Sequence, residues 1–598
     1  MNLSSKTLAA VLAGSFAATA AAEQGEEMLK VKKSTFVNLV DLLVQRGVIN
    51  KQEGHGLIAA ATEEAAAEAK PQRTEEARAE KAREKPAPDT TAEVAGKTAK
   101  NGQGGKGQSV YVAYVPQFVK DEIRNEVRAE LRDDVVKEVK AQAKTEKWGI
   151  PAALPDWINR IHPYLDNRLR LAQEFYASDN APYFNWPQIN QDGGLAQALA
   201  KNQAYLNTTI DRLRLRERFR VGFDADITDS LKAGFRLATS NEYNPVSNNQ
   251  TLGNYGESYQ VAIDRVFLQY DYQDKTGNDW VTLWGGRFRN PFVSTDVVFD
   301  PDLSFEGVAG TFRLNLDRDD PIVKSYHAPE PTGRFGLNLG PQHPDSVFAT
   351  FGVFPIQEVN FSSADKWLLG GQLGTDWLVH NESRLKFAAS YYHYKNISAR
   401  RNSLDSQQYD WTAPEFFQKG NSLVAINDTA NQPTNCPRSD TFGANTCLVG
   451  LASGFKLFNV TAMFDYADFA PTHILLTADY AKNLGFDQAR ILREFGDNIS
   501  PKTNAYQVRL DVGRAEMRRF MDWSVYFAYR YLERDAVLDA FTDSVFHQGG
   551  TDAKGWVLGA QYGLASNTWA NLRWFSTDAI DGPPLSIDTL NLDLNVRF

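Results

Sequence analysis

Apolar and charged side chains alternate along residues 213–237, LRLRERFRVGFDADITDSLKAGFRL. Leucine, phenylalanine, valine and isoleucine occupy one parity and arginine and aspartate the other, and the pattern resumes after the polar turn Thr228–Ser230. A period of two predicts a β-hairpin with one apolar and one charged face. In a soluble sandwich the apolar face would form the core. In an outer-membrane barrel it would face lipid, and the charged face would line a water-filled lumen. This hairpin alone does not choose between the two.

Similar alternating stretches recur to the end of the chain, from about Tyr164–Phe175 to a last strand ending at Phe598. Short connections alternate with long ones, as a barrel with a turn side and a loop side requires, and only Asp317–Pro344 departs from this rule. Aromatic residues gather at strand ends, where interfacial girdles lie. Every backbone group in lipid needs a partner, so the last strand must pair with the first. We therefore predict an all-β fold, a transmembrane antiparallel β-barrel of about 16 strands, preceded by a periplasmic α-helical and coiled-coil segment.

Composition agrees with export to the outer membrane. No run of about 18 apolar residues follows the N-terminus, and the mean hydropathy of −0.42 is that of a barrel whose lumen residues dilute the lipid-facing ones. Met1–Ala22 carries Lys6 before an apolar run and ends in three alanines, which is typical of a signal peptide. The net charge of −10 argues against non-specific binding of nucleic acid.

The chain divides into five segments by composition and periodicity. We predict a signal peptide over 1–22, a helical hairpin over 23–70, a disordered charged linker over 71–108, a charged coiled-coil-like helix over 109–150 and the outer-membrane barrel over 151–598. The narrow apolar stripe of Phe118–Lys144 suits a coiled coil that trimerises in the periplasm, with a solvated single helix as the alternative. The helical hairpin is expected to bind another helix or the cell wall.

Two cysteines, Cys436 and Cys447, share one Asn/Thr/Pro-rich stretch. Export permits a disulfide between them, and the alternatives are two free thiols or a metal pair, for which no neighbouring Cys/His cluster provides ligands. The histidines are scattered, and Ser390 and His393 lie on opposite faces of one strand because their spacing is three. We therefore expect no enzyme activity, no metal and no cofactor.

Several motifs resemble the bacterial putative porin family. They are LVDLLVQRGVI in the helical segment, WGIPAALPDWINRI before the first strand, the RLRERFRVGFDADITDSLKAGFRLAT hairpin, AIDRVFLQYDY and GGRFRNPF. The resemblance spans most of the mature chain and implies a homotrimeric, water-filled diffusion channel surrounded by outer-membrane lipid and lipopolysaccharide. The final alternation ending in Phe598 is similar to the terminal strand that the barrel assembly machinery reads.

A ladder of arginines defines the predicted pore constriction. Turning these guanidinium groups toward lipid would cost about 2 to 4 kcal/mol each near the midplane, so they should line the lumen. The third long loop, NPFVSTDVVFDPDLSF, should fold inward so that its aspartates face the ladder across the pore and create a transverse field. The predicted residues are Arg214, Arg216, Arg218, Arg220, Arg236, Arg265 and Arg287 on the strands and Asp296, Asp300 and Asp302 on the loop.

Other interpretations of these arginines stay open at this point. They could be a solvated face neutralised by nearby aspartates or by lipopolysaccharide phosphates. We expect passive diffusion of small hydrophilic solutes and ions first, a channel specific for anions such as phosphate or for sugars second, and a structural tether acting through the N-terminal helices third.

Overall fold

The structure is a computed structural model, and it describes residues 158–192, 195–239, 244–274, 279–316, 334–339, 345–359, 363–380, 383–403, 406–426 and 448–598. The predicted signal peptide, helical hairpin, charged linker and coiled-coil-like helix lie outside these residues, as do Cys436 and Cys447. Those assignments stay predictions.

Sixteen antiparallel strands of 9 to 16 residues form one closed barrel. They are β1 (Ile161–Tyr176), β2 (Arg212–Asp226), β3 (Leu231–Thr239), β5 (Val261–Gln273), β6 (Asp279–Arg289), β8 (Ser304–Asn315), β10 (Ser346–Gln357), β11 (Lys366–His380), β12 (Ser383–Lys395), β15 (Phe455–Tyr466), β16 (His473–Asn483), β17 (Asn504–Gly513), β18 (Trp523–Leu532), β19 (Ala553–Ala565), β20 (Thr568–Ala579) and β21 (Ser586–Arg597). Five short strands lie outside this ring: β4 (Gln250–Thr251), which pairs with β2, β7 (Ser294–Thr295) with β9 (Leu337–Asn338), and β13 (Leu423–Ala425) with β14 (Val449–Leu451).

The barrel closes where β21 pairs with β1. The register runs from Asp166 opposite Arg597 to Tyr176 opposite Ile587. Each of the other barrel strands pairs antiparallel with the barrel strands before and after it in sequence. Closure leaves no sheet edge with unpaired backbone groups, which a lipid environment would not tolerate. The predicted all-β barrel and its strand number are confirmed.

Exposure alternates along the strands in the sense opposite to that of a soluble sheet. On β17, Val508 and Leu510 are 51% and 43% exposed, whereas Arg509 between them is buried. The same inversion holds on β20, where Trp574 is exposed and Arg573 is fully buried. Apolar side chains outside and charged ones inside are the pattern of a barrel in lipid with a polar lumen.

The connections give the barrel two unlike ends. The turn side carries short connections such as Ile227–Ser230 and Ser566–Asn567, and the loop side carries long ones. Three α-helices lie in loop-side connections: α1 (Trp186–Gln191), α2 (Leu195–Ala200) and α3 (Gln488–Phe495).

Helix α3 shows how these loops are ordered locally. The Asp487 carboxylate accepts the Arg490 N–H at 2.9 Å at its start, and Gly496 with φ 81° ends it in the left-handed conformation that favours glycine. None of the helices in the described part of the chain is long and apolar enough to cross a membrane.

Candidate pore constriction

The connection between β6 and β8, Asn290–Leu303, folds into the barrel, and we call it the constriction loop. Its apolar residues Phe292 and Val297 are fully buried. Phe292 packs edge to face on Phe305, Phe354 and Tyr392 of the wall, with ring centroids 5.1 to 6.2 Å apart. Burial of these aromatic rings holds the loop against β8, β10 and β12. The predicted inward fold of the third long loop is therefore observed.

The arginine ladder spans β1 and β2, which lie side by side. Arg168 stands opposite Arg218, and Arg170 stands opposite Arg216. Arg218 donates to both oxygens of Asp166 at 2.8 and 3.1 Å. Arg168 and Arg170 were missed by the sequence analysis, although the alternation in LDNRLRLAQEF places them on the lumen parity. They double the width of the ladder.

Two ladder arginines meet the constriction loop directly. Arg218 lies 3.3 Å from Asp302 Oδ1, and Arg220 forms a shorter ion pair with the same carboxylate. Burial alone would raise the pKa of Asp302, but Arg220 and Arg218 outweigh it and lower that pKa. Burial, with Asp302 and Asp543 nearby, raises the pKa of Asp300 well above its ordinary value. The same surroundings therefore shift the pKa values of the two loop aspartates in opposite directions.

Asp296 does not face the ladder. Its carboxylate pairs with Arg530 of β18, whose guanidinium also lies 3.1 Å from Asp543. The constriction loop therefore contacts two parts of the wall, with Asp302 at the ladder and Asp296 at β18, four strands away from β1. The expectation that all three loop aspartates oppose the ladder is corrected here, because β7 carries Asp296 toward β18.

The other predicted arginines have individual environments. Arg214 forms an ion pair with Glu174 and Arg236 with Asp264. Arg265 donates to the hydroxyl oxygen of Ser304 at 3.2 Å. The buried Nε of Arg216 has no hydrogen-bond partner among the described residues.

Arg287 is the predicted residue that the structure moves to the other face. Its strand neighbours Phe288 and Trp284 are buried in the lumen aromatic cluster, so alternation directs Arg287 outward. There it forms an ion pair with Glu306, directly opposite on β8. The sequence analysis assigned Arg287 the wrong parity because β6 is apolar on both faces, so its hydrophobic pattern did not mark the lumen.

A second loop-side connection, Glu533–Asp552, covers the constriction loop and was not anticipated. We call it the upper loop. Asp300 N–H donates to Phe541 O at 2.7 Å, and Thr542 Oγ1 donates to Val297 O at 2.8 Å. The Ser544 N–H donates to Asp300 Oδ2 at 2.8 Å. These bonds fix the height of the constriction loop in the barrel.

A third segment, Arg334–Leu339, reaches the constriction loop from the turn side, and we call it the turn-side segment. Its strand β9 pairs with β7 of the constriction loop. It belongs to the region 317–344, the one stretch that broke the predicted alternation of short and long connections. That irregularity was the signal for an unusual element here.

A cavity of about 410 Å³ lies between the ladder and the two inserted segments. Seven arginines and five aspartates line it, together with Phe299 and residues 335–338. The charged lining residues are Arg168, Arg218, Arg220, Arg236, Arg265, Arg289, Arg597, Asp166, Asp224, Asp300, Asp302 and Asp593. Within the described ranges no group of His, Cys, Asp and Glu side chains is arranged to hold a metal ion.

A closed barrel with an apolar outer face and a charged, narrowed lumen defines a membrane channel. The chain belongs to the putative porin family, whose model matches residues 33–598. It is accordingly an outer-membrane channel for small solutes. The solute, contacts with lipid, lipopolysaccharide and the assembly machinery, and a contact with the cell wall stay predictions.

Solved porins resemble the chain at low identity. OprB of Pseudomonas putida at high pH is 11% identical, covering 76% of this chain and 97% of its own, with a TM-score of 0.40. OmpF of Salmonella typhi in complex with daunomycin is 10% identical, covering 73% and 97%, with a TM-score of 0.34. An anion-selective porin from Comamonas acidovorans is 10% identical, covering 73% and 99%, with a TM-score of 0.34. No curated protein matches the chain in sequence.

Proposed function

We propose that this channel conducts small hydrophilic solutes and ions by passive diffusion and that it favours anions. The observation that carries this proposal is the cation excess of the cavity beside the ladder, where seven arginines face five aspartates. Fixed positive charge in a narrow passage raises the local concentration of anions and lowers that of cations.

The bonding of individual arginines supports an exposed positive surface rather than a neutralised one. Arg265 donates to a hydroxyl group, Ser304 Oγ, and the buried Nε atoms of Arg168 and Arg216 have no protein partner within the described ranges. Among the described ion pairs these three arginines bind no carboxylate, whereas Arg218 and Arg220 do, so their charge is less neutralised.

The test is the reversal potential of the purified channel in a planar bilayer under a salt gradient. We expect ohmic conductance steps and an anion-favouring potential in the natural protein. Arg265→Gln should lower the ratio of anion to cation permeability by about twofold, since it removes one fixed charge from the passage. Arg493→Gln, which removes an exposed arginine from the loop-side helix α3, is the matched control and should change nothing.

Each other result has a defined meaning. Equal permeability of both ions would contradict the anion preference and leave simple diffusion. Phosphate or sugar that blocks the chloride current at low concentration would favour a specific channel instead. Absence of steps from folded protein would contradict passive diffusion and favour a structural tether.

We further propose that the channel is a homotrimer that associates through the outer face of β2, β6 and β8. The ion pair of Arg287 with Glu306 lies on this face, and Glu217 interrupts the apolar parity of β2. A charged arginine facing lipid is unfavourable, less so toward the end of a strand than at the midplane, so another copy of the chain is the better neighbour. In the same bilayer recording, closure in three equal substeps would support the trimer, and single steps throughout would contradict it.

A further inference from the structure

The turn-side segment lies at an unexpected depth. Described connections on the turn side, such as Ile227–Ser230, are short, yet this one brings β9 into the lumen. Ser294 stands opposite Asn338, and the Asp296 N–H donates to Gly336 O at 2.8 Å. The side-chain amide of Asn338 adds bonds of 2.9 and 2.8 Å to two carbonyl oxygens of the constriction loop. The two inserted segments therefore form one unit across the lumen.

Strands β15, β17 and β20 of the wall hold the other side of this segment. Arg334 is buried and pairs with Asp465 of β15 at 3.1 Å. The Phe335 ring lies 3.9 Å from the guanidinium carbon of Arg573 on β20, and the Phe335 carbonyl accepts a bond from Arg509 of β17. A cation on an aromatic face in a dry site is a substantial attraction. The segment is thus anchored by charge, by ring stacking and by backbone pairing.

Gly336 allows the close contact between the turn-side segment and Asp296 of the constriction loop. Its φ is +83°, a region that side chains rarely adopt, and a Cβ placed on it would lie 2.5 Å from Asp296 Oδ2. Glycine is therefore required twice over, for the backbone conformation and for the close approach to the constriction loop.

The segment separates two spaces of very different size. On the ladder side it lines the cavity of about 410 Å³. On the other side, among Arg509, Arg530 and Arg573, lies a pocket of about 10 Å³, which is at the lower limit for one water molecule. Phe335 lines both spaces.

We propose that Arg334–Leu339 is a second constriction element, which closes the part of the lumen around Arg509, Arg530 and Arg573 and confines flux to the arginine ladder. The segment fills space that a barrel of this size would otherwise leave to water. It also covers Arg573, whose charge Asp593 partly neutralises at 3.5 Å. This inference rests on the channel function proposed above.

Single-channel conductance tests the inference. Phe335→Ala and Gly336→Ala should each raise conductance, and replacement of Arg334–Leu339 by six glycine and serine residues should raise it by about twofold, because a second path opens beside the first. Gly256→Ala is the matched control: its φ of +82° imposes the same backbone strain, but a Cβ there meets nothing within 4 Å. It should conduct like the natural protein.

A cysteine pair keeps the inference testable if those variants fold poorly. Ser294→Cys with Asn338→Cys, in a chain whose own cysteines are serine, should form a disulfide across the β7–β9 pair. Adding this crosslink to Gly336→Ala, which keeps the Phe335 ring, should restore the natural conductance.

The possible outcomes distinguish a failure of the second constriction from a failure of the channel function on which it rests. A natural channel that conducts, with unchanged conductance in all segment variants, would overturn the second constriction and leave the channel function intact. Folded channels in which the cysteine pair does not form a disulfide would overturn the docked position. A natural protein that does not conduct would overturn the proposed function itself.

Discussion

Two parts of the lumen wall carry arginine–aspartate ion pairs, but their surroundings differ. On the ladder side, Arg218 and Arg220 share Asp302 beside a cavity of about 410 Å³. On the β18 wall, Arg530 lies between Asp296 and Asp543 beside a pocket of about 10 Å³. Both walls carry arginines that pair with aspartates of inserted loops. Only the first borders the larger cavity.

Aromatic cover accounts for the difference. Arg530 lies 4.7 Å from the ring centroid of Phe546 in the upper loop, and Arg573 lies 3.9 Å from that of Phe335. Among the described ring contacts, the ladder arginines of β1 and β2 have no such cover. Ion pairs in a dry site hold the inserted loops but cannot attract solute, whereas the same pairs beside water can do both. Charge pattern alone therefore does not locate a conducting path.

Replacing one arginine on each wall should give the largest difference, measured as the loss in the free energy of unfolding. Arg530→Met leaves two buried carboxylates without a cation, so we expect it to lower the free energy of unfolding by about 3 to 5 kcal/mol. Arg220→Met leaves Asp302 with Arg218 and with water in the cavity, and about 1 to 2 kcal/mol should be lost. Guanidinium titration of the folded barrel in detergent measures both. Equal losses would mean that the two walls are equally dry.

The pH dependence of the upper loop gives a smaller effect. Burial, reinforced by Asp535, raises the pKa of Asp539 from 3.8 to about 7. A pKa raised by folding stabilises the packed loop fully below the ordinary value, and that contribution is lost as the pH rises through about 7. We expect amide exchange across residues 533–552, corrected for its intrinsic rate, to be about tenfold faster at pH 8 than at pH 5.5.

Asp539→Asn should reduce this pH dependence, because its side chain stays neutral throughout, while Asp535, whose pKa burial raises to about 6, retains the remainder. Asp497→Asn, in a different loop-side connection, is the control and should retain it. The same pH dependence in the Asp539 variant would assign the effect to another group.

Charge selectivity should show the smallest effect. Asp302→Asn removes a negative charge beside the cavity, so the preference for anions should rise by about twofold in the reversal potential. Asp543→Asn removes the same charge from the packed wall and should leave the potential unchanged. A shift of equal size in both variants would mean that solute reaches both walls.

Most of the barrel could be predicted from the sequence because each strand carries its own pattern. The inward fold of the constriction loop and the contact of Asp302 with the ladder also followed from position and charge. The partners of the buried lumen arginines did not. Arg530 and Asp296 are 234 positions apart, and Arg170 and Asp593 are 423 apart, so no local pattern links them. The predicted face of Arg287 was wrong because β6 is apolar on both faces, so its sequence did not show which face lines the lumen.

By itself the sequence determined that this chain forms a closed barrel with charge inside, since a period of two admits one assignment of faces once lipid is the solvent. Only the tertiary structure decided which arginines remain open to water. That choice depends on where Phe335, Phe546 and the constriction loop lie within the lumen. Their positions are fixed by contacts between segments far apart in the sequence. Such contacts leave no periodic pattern in the sequence from which they could be predicted.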